Sequence, residues 1–564
     1  MVRIGSVWVF AIVVALASTS ARVWAQRPSE ARIQELVRLA AERAATSQAG
    51  APTQATTVQT PAGVADARPM VRLSLDDAVK LALDRNLDIA VQRLNPEIND
   101  IAISSLRAIY HPSLTSTVGQ ASQTQAPVSQ LQLSSGGGGV ESTTTTYNGG
   151  IAQSLPWGGG AFQATLNNSR QATNSNNAFY NPQFQSLWTA VYTQPVLRGF
   201  RTDSTRQQLS VTKVNRDISD VQLRASIVNT LSNVRNAYWD FVYALQAVEV
   251  ARQSLDLATK LVQDNQTKVQ VGTLAPIDVV QAQSEAAMRR QVLVAAESTR
   301  RTSELALKRL IVNGTQDPNW NAALDPTDRP DFRPETIDIE AAIRRALSER
   351  TDLDIAKKNV QGNDVTLKYL RDQLLPQADF QVNYGLQGIG GPYLQRSQTG
   401  VLGSTVTTVV PGGIADAFST LFRNNYPRWT VQMNLSYPLG LSSQEAAVAR
   451  ARVQLNQVQA QVKQIELQVA TDVTNAAISA QNAAEAVQAA QAARELSQRK
   501  LEAEQSKFEV GMSTNYFVVQ AQRDLADAQN SELRAVLNYR KALVDLDRNQ
   551  QTTLQSLNIT LLNR

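Results

Sequence analysis

Residues able to carry chemistry are scarce in this chain. It has one histidine, His111, and no cysteine. Thiolate metal sites, disulfides, a cysteine nucleophile and a lipid on an N-terminal cysteine are therefore excluded, and one imidazole cannot build a multi-histidine metal site. His111 stands just before Pro112, where a helical pattern stops, and reads as an interface side chain rather than a ligand or a pH switch. Glu466, Asp472 and Glu485 have Lys463, Arg494 or amide neighbours and read as solvated surface, so no carboxylate pair is set out as general acid and base. Glycine runs such as Gly136–Gly139 lack the strand–turn–helix context of a phosphate loop. The expectation is a protein that is not an enzyme, with no catalytic residue, metal or cofactor.

The elements carry more information than the reactive groups do. Arg3 followed by the apolar run Val7–Ala17 and by Val23-Trp24-Ala25 reads as a secretory signal over residues 1–25. The run is too short to span a bilayer as a helix, and no later stretch approaches that length, so any membrane insertion is expected through β-strands. The formal charge is +5, falling to +3 without Arg3 and Arg22. That small basic excess is spread along the chain and does not imply nucleic acid. Residues 26–70 are expected to form a short amphipathic helix, Ser29–Ala45, and a flexible Ala/Thr/Gln/Pro-rich linker.

From Gln444 to Gln550 the sequence predicts a long helical hairpin. Val448, Leu455, Val462, Val469, Ala476, Ala483 and Ala490 recur every seventh position, and Ala451, Val458 and Ile465 form a second seam. A sustained seven-residue repeat marks helices that supercoil on a partner. The pattern breaks at Val510-Gly511-Met512 and resumes from Tyr516. Val271-Gly272-Thr273 with Val280-Gln281-Ala282-Gln283 repeats this tip 239 positions earlier, and Leu75, Ala82, Asp88 and Pro112 recur 264 positions on as Ile339, Ala346, Asp352 and Pro376. The chain therefore reads as a duplication. Repeat 1 (71–332) holds short helices, strands over 113–197 and a long hairpin over 201–312; repeat 2 (333–564) holds short helices, strands over 378–438 and a hairpin over 444–550.

The strands alternate. Trp429, Val431, Met433, Leu435 and Tyr437 are separated by polar residues, as are Phe380, Val382, Tyr384 and Leu386. Such strands present one apolar and one polar face. A soluble sheet would show the same pattern, but aromatic residues at the strand ends suit a membrane interface. A further hairpin, Tyr147–Leu155 and Ala161–Asn168, turns at Trp157-Gly158-Gly159-Gly160, and its place inside or outside a barrel is left open. The loop Gly388–Asn425 is read as exposed and mobile. Four strands cannot close a barrel in one chain, and open edges in hydrocarbon are too costly, so a membrane reading demands an oligomer. Four or more strands per chain are expected, and four from each of three subunits would give twelve.

The paired helix–strand–strand–helix order, the signal, the Gln194–Phe200 turn (QPVLRGF) and the twin Val-Gly tips resemble the TolC family of outer-membrane efflux proteins over about Leu73–Gln550. The resemblance implies a mainly α protein with a membrane β-barrel part: a homotrimer whose twelve-stranded barrel continues into a periplasmic α-barrel. It further implies a passive exit duct, surrounded by outer-membrane lipid and docked on a periplasmic adaptor and an inner-membrane pump. Carried over residue by residue, the adaptor-binding tips fall on Val271, Gly272, Thr273 and on Val510, Gly511, Met512. The constriction, often acidic in the family, falls on Phe517 and Gln520 after the second tip and on Asp278 and Gln281 after the first. Three Asp278 carboxylates near one axis would attract cations; Asp278 also reads as an ordinary acid in the first turn of a helix. With the acids gone from the second tip, Tyr516 or Phe517 offers closure by apolar contact. A periplasmic coiled-coil scaffold without a channel is the competing reading.

Overall fold

The computed structural model describes residues 69–126, 138–175, 177–329, 331–398, 404–437, 439 and 442–559. The expected signal segment and the helix and linker over 26–68 lie outside the described residues. In chain order the elements are β1 (Met70–Leu73), α1 (Leu75–Arg85), α2 (Leu87–Ala108), β2 (Ser113–Gln125), β3 (Val140–Ser154), β4 (Ala161–Thr173) and β5 (Gln183–Pro195). Then follow α3 (Ser204–Gln270), α4 (Pro276–Ile311), α5 (Pro318–Asn321), β6 (Ala323–Pro326), α6 (Ile339–Glu349), α7 (Thr351–Asp372) and β7 (Gln377–Gly390). The chain ends with β8 (Tyr393–Gln398), β9 (Ser404–Val410), α8 (Ile414–Phe422), β10 (Pro427–Ser436), α9 (Ser443–Glu509), α10 (Asn515–Gln550) and α11 (Thr553–Ser556).

The larger helices come in pairs of equal length. α1 and α6 have 11 residues each, α2 and α7 have 22, α3 and α9 have 67, and α4 and α10 have 36. At 1.5 Å per residue the longest pair reaches about 100 Å. Local signals start these helices where the sequence places them. Ser74 accepts from the Asp77 N–H at 3.1 Å, Asn86 accepts from Asp88 N–H, and Ser442 with Glu445 forms a reciprocal capping box. Along α9 the heptad seam is the inward one: Val448, Ala451, Val469 and Ala476 are buried, with Leu455, Val462, Val458 and Ile465 half-buried between them. Next to the sheet the helices stand in the order α2–α3–α7–α9, each packed on the next, and beyond them α4 packs on α3 and α10 on α9.

The densest core lies partway along the long helices, where Leu73, Ile89, Leu231, Phe241, Leu307 and Ile311 converge. Here β1 and β6 form a parallel pair that alternation alone did not reveal, each being only 4 residues long. Tyr238 is fully buried and donates its hydroxyl to Asp328 Oδ2 at 2.7 Å, and that same carboxylate oxygen accepts the Leu75 N–H at 2.7 Å. One carboxylate thus ties α1 to α3. Burial, together with the Asp328 contact, pushes the Tyr238 phenol well above its ordinary range. A second link, Arg350 to Asp352 at 2.6 Å and to Asp472 at 3.6 Å, fastens the start of α7 to α9. Asp472 is therefore an inter-helix partner rather than free surface, and Arg494 pairs with Glu532 at 2.6 Å rather than with Glu485.

Six strands form one antiparallel sheet in the order β10-β7-β5-β4-β3-β2. The expectation of four or more strands per chain is met by six. The hairpin of β3 and β4, whose place the sequence left open, stands inside the sheet, between β2 and β5. Its placement has a physical cause. The register aligns Leu114, Ile151, Ala164, Ala190, Tyr384 and Trp429 in one row across all six strands. The neighbouring row reads Thr115, Gly150, Thr165, Thr189, Gly385 and Arg428 and faces the other side. A one-residue slip in any strand would reverse its faces, so this alignment holds the hairpin in place.

The β3–β4 turn is also pinned at the helix end of the sheet. Gly158 and Gly159 both take positive φ, 66° and 68°, as a tight hairpin turn requires. Gln194 Nε2 donates to Gly158 O at 2.6 Å, while Arg206 Nη2, at the start of α3, donates to Gly199 O at 2.6 Å. At the far end, the described residues of Gly388–Asn425 form regular elements rather than a simple loop: β8 pairs with β9, and α8 lies across β7. A Cβ on Gly388 or Gly390 would collide with the α8 backbone at Ala417, so these glycines permit close packing and do more than punctuate a loop.

Tyr238→Phe keeps the ring and leaves Asp328 and Leu73 O without their hydroxyl. The expected loss is about 1–3 kcal/mol, the cost of an abandoned buried acceptor. Chaotrope unfolding in detergent measures it, and an unchanged midpoint would show that Asp328 does not organise this junction.

Candidate partner-binding tip and constriction

Each long hairpin ends in the same cap. Gly272 and Gly511 both have φ of 80°, a conformation that a side chain would strain. Thr273 N–H donates to Lys268 O at 2.9 Å and Met512 N–H to Lys507 O at 2.8 Å, the six-to-one bond that closes a helix with a left-handed residue. The two caps face open space, with nothing near either glycine's missing Cβ. Around them stand exposed apolar side chains: Val271 at 74%, Val510 at 71% and Met512 at 79%. Thr273 is exposed and turns its hydroxyl onto Lys268 O at 3.0 Å.

The tips lie side by side because the hairpins pack there. Leu261, Ala282 and Val518 form a small core, lined by Phe508, with Lys268 Nζ 3.8 Å from the centre of the Phe508 ring. Beneath it Asn265, fully buried, donates to Asn515 Oδ1 at 2.9 Å, and Asn515 Nδ2 donates to the Asp278 carbonyl at 3.3 Å. A further link joins α4 to α10: Glu285, buried, takes hydrogen bonds from Arg289 Nε at 2.7 Å and Arg523 Nε at 3.0 Å. Burial alone would raise the Glu285 pKa, but the two guanidinium groups outweigh it and hold the carboxyl below its ordinary value.

The expected constriction residues divide into two groups. Asp278 sits in the first turn of α4, half-buried, with its backbone carbonyl anchored by the two asparagines. Tyr516 and Phe517 are 63% and 54% exposed and meet edge to face, with ring centres 5.6 Å apart. Gln281 is exposed, whereas Gln520 is partly buried and donates to Asp524 Oδ1 at 2.8 Å, an acid that also binds Lys500 at 2.7 Å. Gln520 therefore belongs to the α9–α10 contact. Asn265, Glu285, Asn515 and Arg523 escaped the sequence reading. The four-residue spacing of Glu285 and Arg289 was visible; the Arg523 partner, 238 positions away, was not. The lone His111 is exposed at the junction of α2 and β2.

The fold is thus a set of long paired helices with glycine tips, ending at the other side in a two-faced sheet with two open edges. The chain belongs to the outer membrane efflux protein family, whose model matches residues 162–313 and 342–549. No curated protein sequence matches it. Among solved structures it is similar to the outer-membrane channel OprN, with 14% identity, 84% of this chain and 89% of that one covered, and a TM-score of 0.60. It is also similar to the CmeC outer membrane channel of Campylobacter jejuni, at 14% identity, 87% and 90% coverage and TM-score 0.59. For the outer membrane protein VceC of Vibrio cholerae the values are 14%, 84% and 95%, and 0.58. Membership makes this chain an outer-membrane duct of an efflux system. Among the described residues no helix is long and apolar enough to cross a membrane.

Glu285→Gln removes the charge that joins α4 to α10 and is expected to cost about 1.5–3 kcal/mol at neutral pH. Because the folded carboxyl is depressed, its stabilisation is complete above the ordinary carboxylate range and fades as pH falls through the folded value. Thermal melts of parent and variant should therefore differ most near pH 7, and the gap should narrow as pH falls below the ordinary carboxylate range. A gap that stays constant with pH would show that the ion pair contributes nothing.

Proposed function

We propose that three copies of this chain form the passive exit duct of a tripartite efflux or type I secretion system. The duct stands in the outer membrane with a large periplasmic portion. The observation that carries the reading is the set of apolar and polar rows running across one sheet whose two outer strands, β2 and β10, are fully exposed. Lipid covers the apolar rows and water the polar ones, while the edges demand neighbouring copies. The helices then continue as a periplasmic tube, and the exposed Val271, Val510 and Met512 collar receives the adaptor, which joins the duct to an inner-membrane pump. Energy comes from the pump. The scaffold reading leaves the exposed apolar row Leu114 to Trp429 without a covering partner.

Native mass of the protein extracted from outer membranes in mild detergent tests the reading. Three copies, released only with detergent, are the expected result. A species of one or two copies recovered without detergent would leave the scaffold in its place. Val271→Asp with Val510→Asp should keep the mass at three copies and abolish adaptor capture.

A further inference from the structure

We infer that α8 is an outer-leaflet anchor: a helix held against the outside of the sheet, its uncovered apolar flank set in the boundary between acyl chains and headgroups. This rests on the outer-membrane reading above and adds a lipid contact made by a helix. The two faces of the sheet decide where α8 stands. Phe380, Val382, Tyr384, Leu386, Gly388 and Gly390 alternate along β7 and share one face, that of the apolar rows. A Cβ on Gly388 or Gly390 would run into the backbone of Ala417, and Thr420 Oγ1 donates to Ile389 O at 3.3 Å. α8 therefore lies on the side that carries Phe380 and Tyr384, away from Gln381 and Asn383. In the duct proposed above the polar face lines the passage, so α8 is outside it.

The height follows from the strand. Gly388 is eight residues beyond Phe380, which is about 27 Å along β7 and about 21 Å along the axis of a barrel whose strands tilt by about 40°. The apolar band of a membrane barrel is about 25 Å tall, so α8 stands at its outer edge. The sheet changes character at the same level. The row through Gly388 continues as Ser186 and Asn168, whereas the row through Leu386 continues as Trp188 and Leu166. α8 packs on β5 as well as β7, and Ser186 is fully buried. Of the helix itself only Ala417 and Leu421 are buried. Phe422 is 79% exposed, Ile414 is exposed, and Phe418 stacks on Phe422 with ring centres 6.4 Å apart. A helix facing water turns polar residues outward, whereas one lying in a membrane interface turns aromatic and aliphatic groups toward the acyl chains. The ends are polar. The Asp416 carboxylate accepts the Gly413 N–H at 2.7 Å, and Arg423, exposed at the other end, brings a cation to the level of anionic headgroups. Seated on two glycines, α8 moves only with the sheet, and its lipid contact fixes the height of the barrel in the membrane.

Because the chain has no cysteine, spin labels can be placed one at a time. Phe422→Cys, Val431→Cys and Gln432→Cys are each labelled in the full chain and reconstituted into vesicles of phosphatidylethanolamine and phosphatidylglycerol. Collisions with oxygen, which concentrates in lipid, are then compared with collisions with a water-soluble nickel chelate. Val431 lies on the apolar face of β10 and Gln432 on the other. The expected result is that the Phe422 label favours oxygen, at a shallower depth than the Val431 label, while the Gln432 label favours nickel. A Phe422 label that favours nickel beside a Val431 label that favours oxygen would overturn the anchor and leave the barrel intact. A Phe422 label shielded from both reagents would show that protein covers the helix, and would overturn it equally. Nickel preference at Val431 would overturn the membrane reading itself. Gly388→Val supplies a second test, since its side chain would lift Ala417 off β7. The Phe422 label should then become more mobile with the Val431 label unchanged, and a Phe422 label that does not respond would remove α8 from this face.

Discussion

A sheet that faces hydrocarbon cannot leave N–H and C=O groups unpaired, and this requirement organises the whole molecule. Inside the sheet, the four inner strands are paired on both sides, so the deficit is concentrated on β2 and β10. Each unpaired backbone group in lipid costs several kcal/mol. An edge of 10 to 13 residues therefore outweighs any plausible net stability of the single chain. In the three-copy duct proposed above, assembly and membrane insertion would for that reason be one event. The helices obey the same logic in water, where the heptad seam of α9 has to be covered and the neighbours supply the cover.

The two halves of the chain are alike in helix and unlike in sheet. Helices at matching positions have the same lengths, and Lys268 and Lys507 accept the same capping bond at the two tips. Yet the first half supplies four strands and the second supplies two, with α8 and the β8–β9 hairpin filling the second half's span instead. In the proposed three-copy duct the helical tube would be close to six-fold and the barrel only three-fold. The change of symmetry falls at the strand–helix junction, and there the polar contacts are concentrated: Gln194 on the Gly158 turn, Arg206 on Gly199, Arg198 on Leu375. They fix the direction of chain segments whose neighbours differ from one half to the other.

What was legible in the sequence was local or periodic. Ser74, Asn86 and Ser442 announce helix starts through hydrogen bonds made within three residues, and Gly272 and Gly511 announce ends through a conformation that only their own backbone decides. The seam at Val448, Ala451 and Val469 is visible because its period is long and regular. Strand pairing is different. β2 carries Leu114 and Val118 among serines, threonines and glutamines, and its apolar face becomes clear only when Ile151 and Tyr147 stand opposite. The choice of β3 as its neighbour, rather than β5, is a statement about distant residues. Glu285 with Arg523 and Arg494 with Glu532 are hidden for the same reason.

The tip shows how such a duplication can divide labour. Asp278 and Phe517 occupy corresponding first-turn positions in α4 and α10, one an acid and the other an aromatic ring against Tyr516. In the three-copy duct proposed above they would alternate around the axis. Three carboxylates repel one another and favour a wide or cation-filled passage, and that repulsion weakens with salt. Three phenyl rings have no charge and favour contact with one another whatever the salt. In that proposed duct the balance between them would set how tightly the passage rests closed. Because Asn265 and Asn515 hold the Asp278 backbone from the neighbouring hairpin, neither group can move without carrying the junction between the two hairpins with it.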